Sequence, residues 1–294
     1  MLKGIVKPRT ARAQKATRRK AAALFTVLIA ALILNLGADD PSKDAQPPGE
    51  AKAANEAKEE NFSIETRRQN IPLPRTKSLR IINHLGDVRA RNAKGSKLNV
   101  ISIIQRFKKS QNDAKTLINA KGKEVEITTA YPSAVKGATE EGLQGRIDLS
   151  LLIPYGTNLT IETKDGVIEV KSVQRRIDAR SESGRIRIST GRRLSAHSDS
   201  GKLGITLGSP TKVENARVSS VTGDIHVDFS NSPMPSLLAQ TKGGITEKGI
   251  DKEPALKEGS SEIHVLQKGT QPANLQVKSQ EGNIFLRALS PHGS

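Results

Sequence analysis

The sequence predicts an all-β fold, a β-solenoid of stacked two-strand repeats of about 19 residues with an N-terminal capping β-sheet, preceded by one transmembrane helix. Three observations predict it. A glycine recurs at Gly166, Gly184, Gly201, Gly223, Gly243 and Gly282, with an aliphatic residue two positions after each, and a further copy carries Ser261 in the glycine place with Ile263 after it. Apolar and polar residues alternate on both sides of the glycine. An uninterrupted basic block followed by an apolar run opens the chain.

With the glycine as origin, positions plus two and plus four are Ile168 and Val170, Ile186 and Ile188, Leu203 and Ile205, Ile225 and Val227, Ile263 and Val265, Ile284 and Leu286. The residues between them are mostly polar, and a period of two marks a strand with one dry and one wet face. A second alternating strand precedes the glycine, with Leu159 and Ile161, Ile177 and Ala179, Leu194 and Ala196, Leu275 and Val277 at minus seven and minus five. Each repeat therefore reads as strand, tight turn, strand, loop. The turns, such as Ser181-Glu182-Ser183-Gly184, hold glycine and short polar side chains that hydrogen-bond the local backbone. Identical residue types at identical offsets favour copies stacked one on the next over an up-and-down meander. The copy at Gly243 is irregular: Glu247 stands at plus four, and its preceding strand fits better counted from Gly244, so a bulge is expected there.

An eighth copy, Leu79 to Ala90 around Gly86, lies 80 residues ahead of the array. The interval holds strand candidates at Leu98 to Gln105, Glu124 to Thr129 and Arg146 to Ile153, with Lys108 to Lys115 and Tyr131 to Gly142 reading as loops. Residues 77–158 are assigned as a capping sheet that closes the open edge of the first repeat, 159–288 as the repeats and 289–294 as a tail.

Residues 1–20 carry eight basic side chains and no acidic one, and Ala21 to Ala38 form an apolar run of 18 residues. That pattern reads as an uncleaved signal anchor with its basic arm in the cytoplasm and the remainder periplasmic or extracellular. Residues 39–76, poor in large apolar side chains before Ile71-Pro72-Leu73-Pro74, read as a disordered tether. About half of the net charge of +17 falls to the arm, leaving 39 basic against 30 acidic residues outside it. Without a recognition motif that balance is no argument for nucleic acid. Zero cysteine excludes disulfides, thiol catalysis and zinc knuckles, and 2% aromatic content leaves few platforms for sugar stacking.

The run Ile147-Asp148-Leu149-Ser150-Leu151-Leu152-Ile153-Pro154-Tyr155-Gly156, continuing into Thr163-Lys164-Asp165-Gly166-Val167-Ile168-Glu169-Val170, resembles the bacterial putative-adhesin β-strand-repeat family. Gly86-Asp87-Val88 fits the same pattern, and the resemblance covers roughly residues 77–288. It implies the architecture, is uninformative about activity, and supplies no catalytic residues.

No cofactor is expected, and no catalytic or metal-binding constellation emerges. His226 and His264, both at plus three, are expected in one outward column but too far apart to share an ion. One charged cluster stands out: Arg175, Arg176, Arg180, Arg185, Arg187, Arg192 and Arg193 lie within 19 residues, a candidate polyanion site whose alternative is a solvated edge pattern. The function expected is a single-pass, membrane-anchored module for adhesion, binding or envelope scaffolding, meeting envelope polyanions, glycans or proteins, with self-association through the solenoid end. The alternatives are a membrane-bound envelope regulator and a polysaccharide-active β-helix enzyme.

Overall fold

Alternating aliphatic and polar residues produce strands almost everywhere in the computed structural model, which describes residues 62–74, 77–107, 114–120, 123–131, 145–190, 193–208, 215–230, 236–250, 262–265 and 274–289. Every described residue belongs to one compact unit, Ala53–Ser294. The basic arm, the apolar run 21–38, the tether as far as residue 61, Ser261, Arg192 and His292 lie outside the described residues. Among the described residues no helix is long and apolar enough to cross a membrane.

In chain order the strands begin with β1 (Phe62–Pro72), β2 (Ser78–Leu85), β3 (Val88–Ala93), β4 (Lys97–Phe107), β5 (Lys115–Asn119), β6 (Glu124–Ala130) and β7 (Arg146–Pro154). Pairs follow: β8 (Asn158–Asp165) with β9 (Ile168–Lys171), β10 (Ile177–Ser181) with β11 (Ile186–Thr190), β12 (Leu194–Ser198) with β13 (Leu203–Leu207), and β14 (Ala216–Ser220) with β15 (Ile225–Ser230). The last are β16 (Leu237–Gln240), β17 (Ile245–Lys248), β18 (Glu262–Val265), β19 (Leu275–Ser279) and β20 (Ile284–Leu289).

They form two sheets of ten strands. The first runs β1-β4-β7-β3-β9-β11-β13-β15-β20-β17 and the second β18-β16-β19-β14-β12-β10-β8-β2-β6-β5. Each strand, turn, strand unit gives its leading strand to the second sheet and its trailing strand to the first, and like strands pair in parallel. Ile168 is opposite Ile186, Ile186 opposite Leu203, Leu203 opposite Ile225, and Ile225 opposite Ile284. In the second sheet Leu159, Ile177, Leu194, Ala216 and Leu275 stand in one file. Because side chains alternate faces, this register sends every aliphatic row to the same side, and the rows make one continuous dry core.

Several elements differ from expectation. The units do not stack in chain order: β20 lies directly on β15 and β19 on β14, so the Gly282 unit separates the Gly223 unit from the irregular Gly243 unit. At the other end the unit of β2 and β3 lies between the β8 and β9 unit and the parallel strands β6 and β7. It is a full member of the stack, and the antiparallel strands β1, β4 and β5 complete that end. Phe62–Pro72, expected as tether, is a strand paired along its whole length with β4, and its Ile71 is buried in the core. β5 is a strand that the sequence pattern does not predict. The Ser261 copy is also corrected: Ile263 pairs antiparallel with Ala239 in the second sheet, so β18 closes an edge and does not continue the first-sheet file.

The reason for glycine in each turn is proximity. A Cβ on Gly184 would stand 1.7 Å from the carbonyl oxygen of Gly166, and one on Gly201 would stand 2.0 Å from that of Gly184. Neither of these two needs a positive φ. Beside the glycines runs a buried polar file in which Ser181, Ser198, Ser220 and Ser279 accept the N–H of Gly184, Gly201, Gly223 and Gly282 through their hydroxyls, at 2.8, 2.8, 2.9 and 3.0 Å. A turn whose donor is met inside the unit can be buried between its neighbours at no cost in unpaired groups. In the irregular unit Thr241 makes the equivalent bond to Gly243 at 2.9 Å, one residue closer in sequence, because the turn between its two strands is one residue shorter than in the Gly282 unit; the irregularity is a shortened turn and not the expected bulge.

Candidate functional site

The surfaces available for recognition are the outward faces of the two sheets, because the same alternation that fills the core presents every second residue to solvent, in rows whose members stand about 4.8 Å apart from strand to strand. On the first sheet one row reads Ser150, Arg89, Glu169, Arg187, Gly204, His226, Phe285 and Thr246. The neighbouring row reads Leu152, Arg91, Lys171, Ser189, Thr206, Asp228, Arg287 and Lys248. Contacts run along and between the rows: Glu169 bonds Lys171 of the neighbouring row at 2.6 Å and lies 3.8 Å from Arg89, Arg287 bonds Asp228 at 2.6 Å, and His226 stacks on Phe285 with ring centroids 4.3 Å apart. The hydrogen bond from Lys171, aided by the charges of Lys171, Arg89 and Arg91 and opposed by partial burial, holds the Glu169 carboxyl below its ordinary value.

The seven arginines of the candidate polyanion site are not gathered on one face. Arg187 points outward from the first sheet, with Glu169 and Gly204 beside it, and Arg185 precedes the same strand. Arg180 points outward from the second sheet between Glu162 and His197. Arg176, ahead of β10, bonds Asp178 at 2.7 Å; Arg175 is exposed beside it, Arg193 precedes β12, and Arg192 lies outside the described residues. The strands of one unit feed opposite sheets, so residues close in sequence diverge.

His226 and His264 do not share a column, since β15 is in the first sheet and β18 in the second. Among the described residues no group of three or more His, Asp or Glu could hold a metal ion. Stacking does assemble one triplet absent from any sequence motif: His197 lies 2.8 Å from the Ser219 hydroxyl and 3.0 Å from Asp199. It is a surface hydrogen-bonded row. Ser219 sits on a central strand whose backbone pairs with β12 and β19, leaving no free N–H donors beside it to stabilise an oxyanion. Nearby, a shallow open depression is lined by Thr160, Glu162, Asp178, Arg180, Ser195 and His197.

Two buried polar groups tie the β2–β3 turn to its neighbours. Asn83 donates to the carbonyls of Gly86 and Ile147, both at 3.0 Å, and accepts from Thr129 at 2.8 Å and Tyr131 at 3.1 Å. Burial pushes the Tyr131 hydroxyl up to about 12, so it serves as a donor. Arg146 bridges Asp87 at 2.7 Å and Asp148 at 2.8 Å, while Asp148 also accepts the Asp87 N–H at 2.7 Å. Burial, reinforced by the charge of Asp87, outweighs Arg146 and raises the Asp148 carboxyl above its ordinary value. All these side chains satisfy one another and serve structure.

No family model matches the chain, and no curated protein matches it. Among solved structures it is similar to a putative cell adhesion protein from Clostridium sporogenes, at 12% identity over 76% of this chain and 100% of that one, with a TM-score of 0.40. It is also similar to a putative adhesin from Bacteroides fragilis, at 9% identity over 77% of this chain and 97% of that one, with a TM-score of 0.38. A third is described as a putative lipid binding protein from Parabacteroides distasonis, at 10% identity, 77% and 97% coverage, and a TM-score of 0.28.

Proposed function

We propose that the chain is a membrane-anchored, extracytoplasmic β-solenoid that acts by binding, as an adhesion or envelope-scaffold module, and performs no catalysis of its own. The observation that carries this reading is the in-register stack: stacked units turn their outer residues into long, flat rows of mixed charge suited to broad, multivalent contact. Two depressions on the outer face of the second sheet are shallow and open, unlike the enclosed pockets that small-molecule chemistry uses. The anchor rests on the basic block and apolar run of residues 1–38.

Two measurements test the reading. The chain has no cysteine, so a Ser195→Cys variant carries a single thiol on an outward row. In intact cells a membrane-impermeant maleimide that crosses the outer layers should label it, and a thiol protected until lysis would place the domain in the cytoplasm. Crosslinking of the intact protein in cells, beside a variant with Arg185 and Arg187 reversed in charge, then reports on the partner. Recovery of the same envelope partners by both would remove those arginines from the binding face.

A further inference from the structure

The outer face of the first sheet is not uniform. Over β4, β7, β3, β9 and β11 it is basic and apolar, whereas the matching face of the second sheet, over β6, β2, β8 and β10, carries Glu124, Glu126, Glu162 and Asp178 against Arg80, Lys164 and Arg180. On the first sheet Arg89, Arg91, Lys171 and Arg187 surround one carboxylate, Glu169. Arg68 of β1 adds a fifth cation opposite Ile101. Asp87 and Asp148 are engaged mainly by Arg146 and by backbone N–H groups, and Asp87 also lies 3.5 Å from Arg89, so they offset only part of this charge. Among the described residues Arg68, Arg91 and Arg187 have no carboxylate within ion-pair distance. Set into the same face are two exposed aliphatic side chains, Leu152 at 40% and Ile64 at 56% exposure, with Ile101 and Ile103 half-buried between them.

Cations alone would suit any polyanion. Cations whose long stems flank exposed Leu and Ile suit an anionic bilayer surface, where headgroups meet the charges and the interface accepts the apolar tips. The position of the face in the chain agrees. The described domain begins with β1 on this face, and the 23 residues from Asp39 to Asn61 separate it from the apolar run. A chain of that length spans at most roughly 80 Å.

We infer that the outer face of the first sheet across β1, β4, β7, β3, β9 and β11 docks on anionic lipid headgroups, laying the domain flat on the membrane with the second sheet turned outward. This deepens the anchored reading and rests on it. The interaction is electrostatic first, so salt weakens it, and each cation near the surface contributes about fivefold to partitioning.

The test uses the full chain, its missing cysteines supplied one at a time as Leu152→Cys or Ser195→Cys and labelled with an environment-sensitive fluorophore. The chain is reconstituted in phosphatidylcholine discs with or without phosphatidylglycerol. With phosphatidylglycerol the label at 152 shifts to the blue and is quenched by lipid-borne quenchers, the label at 195 stays in water, and neither responds in phosphatidylcholine alone. Neutralising Arg89, Arg91 and Lys171 to Gln lowers the equilibrium constant for lipid contact about a hundredfold. A label at 152 that stays in water on anionic discs, or labels that respond alike on both faces, overturns the inference whatever the triple variant does. So does a shift produced equally by a soluble acidic polysaccharide. A chain that washes off the discs refutes the anchor by itself; the same labelled chain is then mixed with phosphatidylglycerol vesicles, where a shift at 152 supports the docking face and its absence overturns it.

Discussion

Replacing Gly184 with Ala places a methyl carbon 1.7 Å from the carbonyl oxygen of Gly166, 2.6 Å from its carbon and 2.9 Å from its nitrogen. The obstruction is backbone on a neighbouring unit, and a Cβ on Gly166 would itself meet the Gly86 carbonyl oxygen at 2.0 Å, so the file has no slack to absorb the shift. Reaching ordinary contact at 3.4 Å requires the two turns to part by about 1.7 Å. That parting breaks the bonds that join them, Glu182 to Thr163 at 3.3 Å, Ser183 to Lys164 at 3.1 Å and Ile168 to Arg185 at 2.9 Å. Three hydrogen bonds between the turns at roughly 1 kcal/mol each, together with looser packing of the aliphatic core behind them, give a cost of about 3–5 kcal/mol. For a domain of this size that lowers the melting temperature by roughly 10 °C. The assay is thermal denaturation followed by circular dichroism, with Gly204→Ala as the matched control. Gly204 has nothing within 4 Å of its added carbon, and its change should stay within about 0.5 kcal/mol of the parent. Equal melting of the two variants would refute close approach as the reason for glycine in the turns.

Three further outcomes follow from the same geometry. Ser198→Ala removes the buried acceptor of the Gly201 N–H and should cost about 1–3 kcal/mol in chemical denaturation, against a negligible effect of Ser195→Ala on the outer face. Burial raises the Glu247 carboxyl above its ordinary 4.5, so the folded state holds that proton more tightly than the unfolded state. The resulting cost is absent below pH 4.5 and complete above the raised folded value, so Glu247→Gln should raise the melting temperature at neutral pH and lose that advantage on acidification. Glu169 has the opposite sign: its carboxyl is lowered, its contribution is present above 4.5 and disappears as pH falls through the folded value, and Glu169→Gln should melt lower at neutral pH and converge with the parent in acid.

The strand, turn, strand unit is legible in the sequence because its cause is local. Alternation at Ile186 and Ile188, or at Leu194 and Ala196, sets which face is dry whatever lies next to it. The candidate site is less legible. Arg180 and Arg187 are seven residues apart in sequence, yet the intervening turn sends them to different sheets. Conversely Arg68, Arg89, Leu152 and Lys171 share a face through pairings between strands separated by tens of residues, which no window along the chain can register. β1 is hidden in the sequence because its residues Glu65, Arg67 and Gln69 fall where a two-sided core strand would be apolar, and an edge strand tolerates them.

Residue order alone determined the repeating unit, the aliphatic rows that fill its core and the serine and glycine of each turn, since these follow from the two-residue period and the backbone demands of a tight turn. Tertiary structure decided which unit lies on which. Rows of Ile, Leu and Val are interchangeable partners, so local pattern cannot rank the Gly223 unit's neighbours; packing ranks them. Glu247 in the row of Val170, Ile188, Ile205, Val227 and Leu286 would be enclosed on both sides anywhere inside the stack, and β17 is the last strand of its sheet, where one side of that carboxylate has no unit above it.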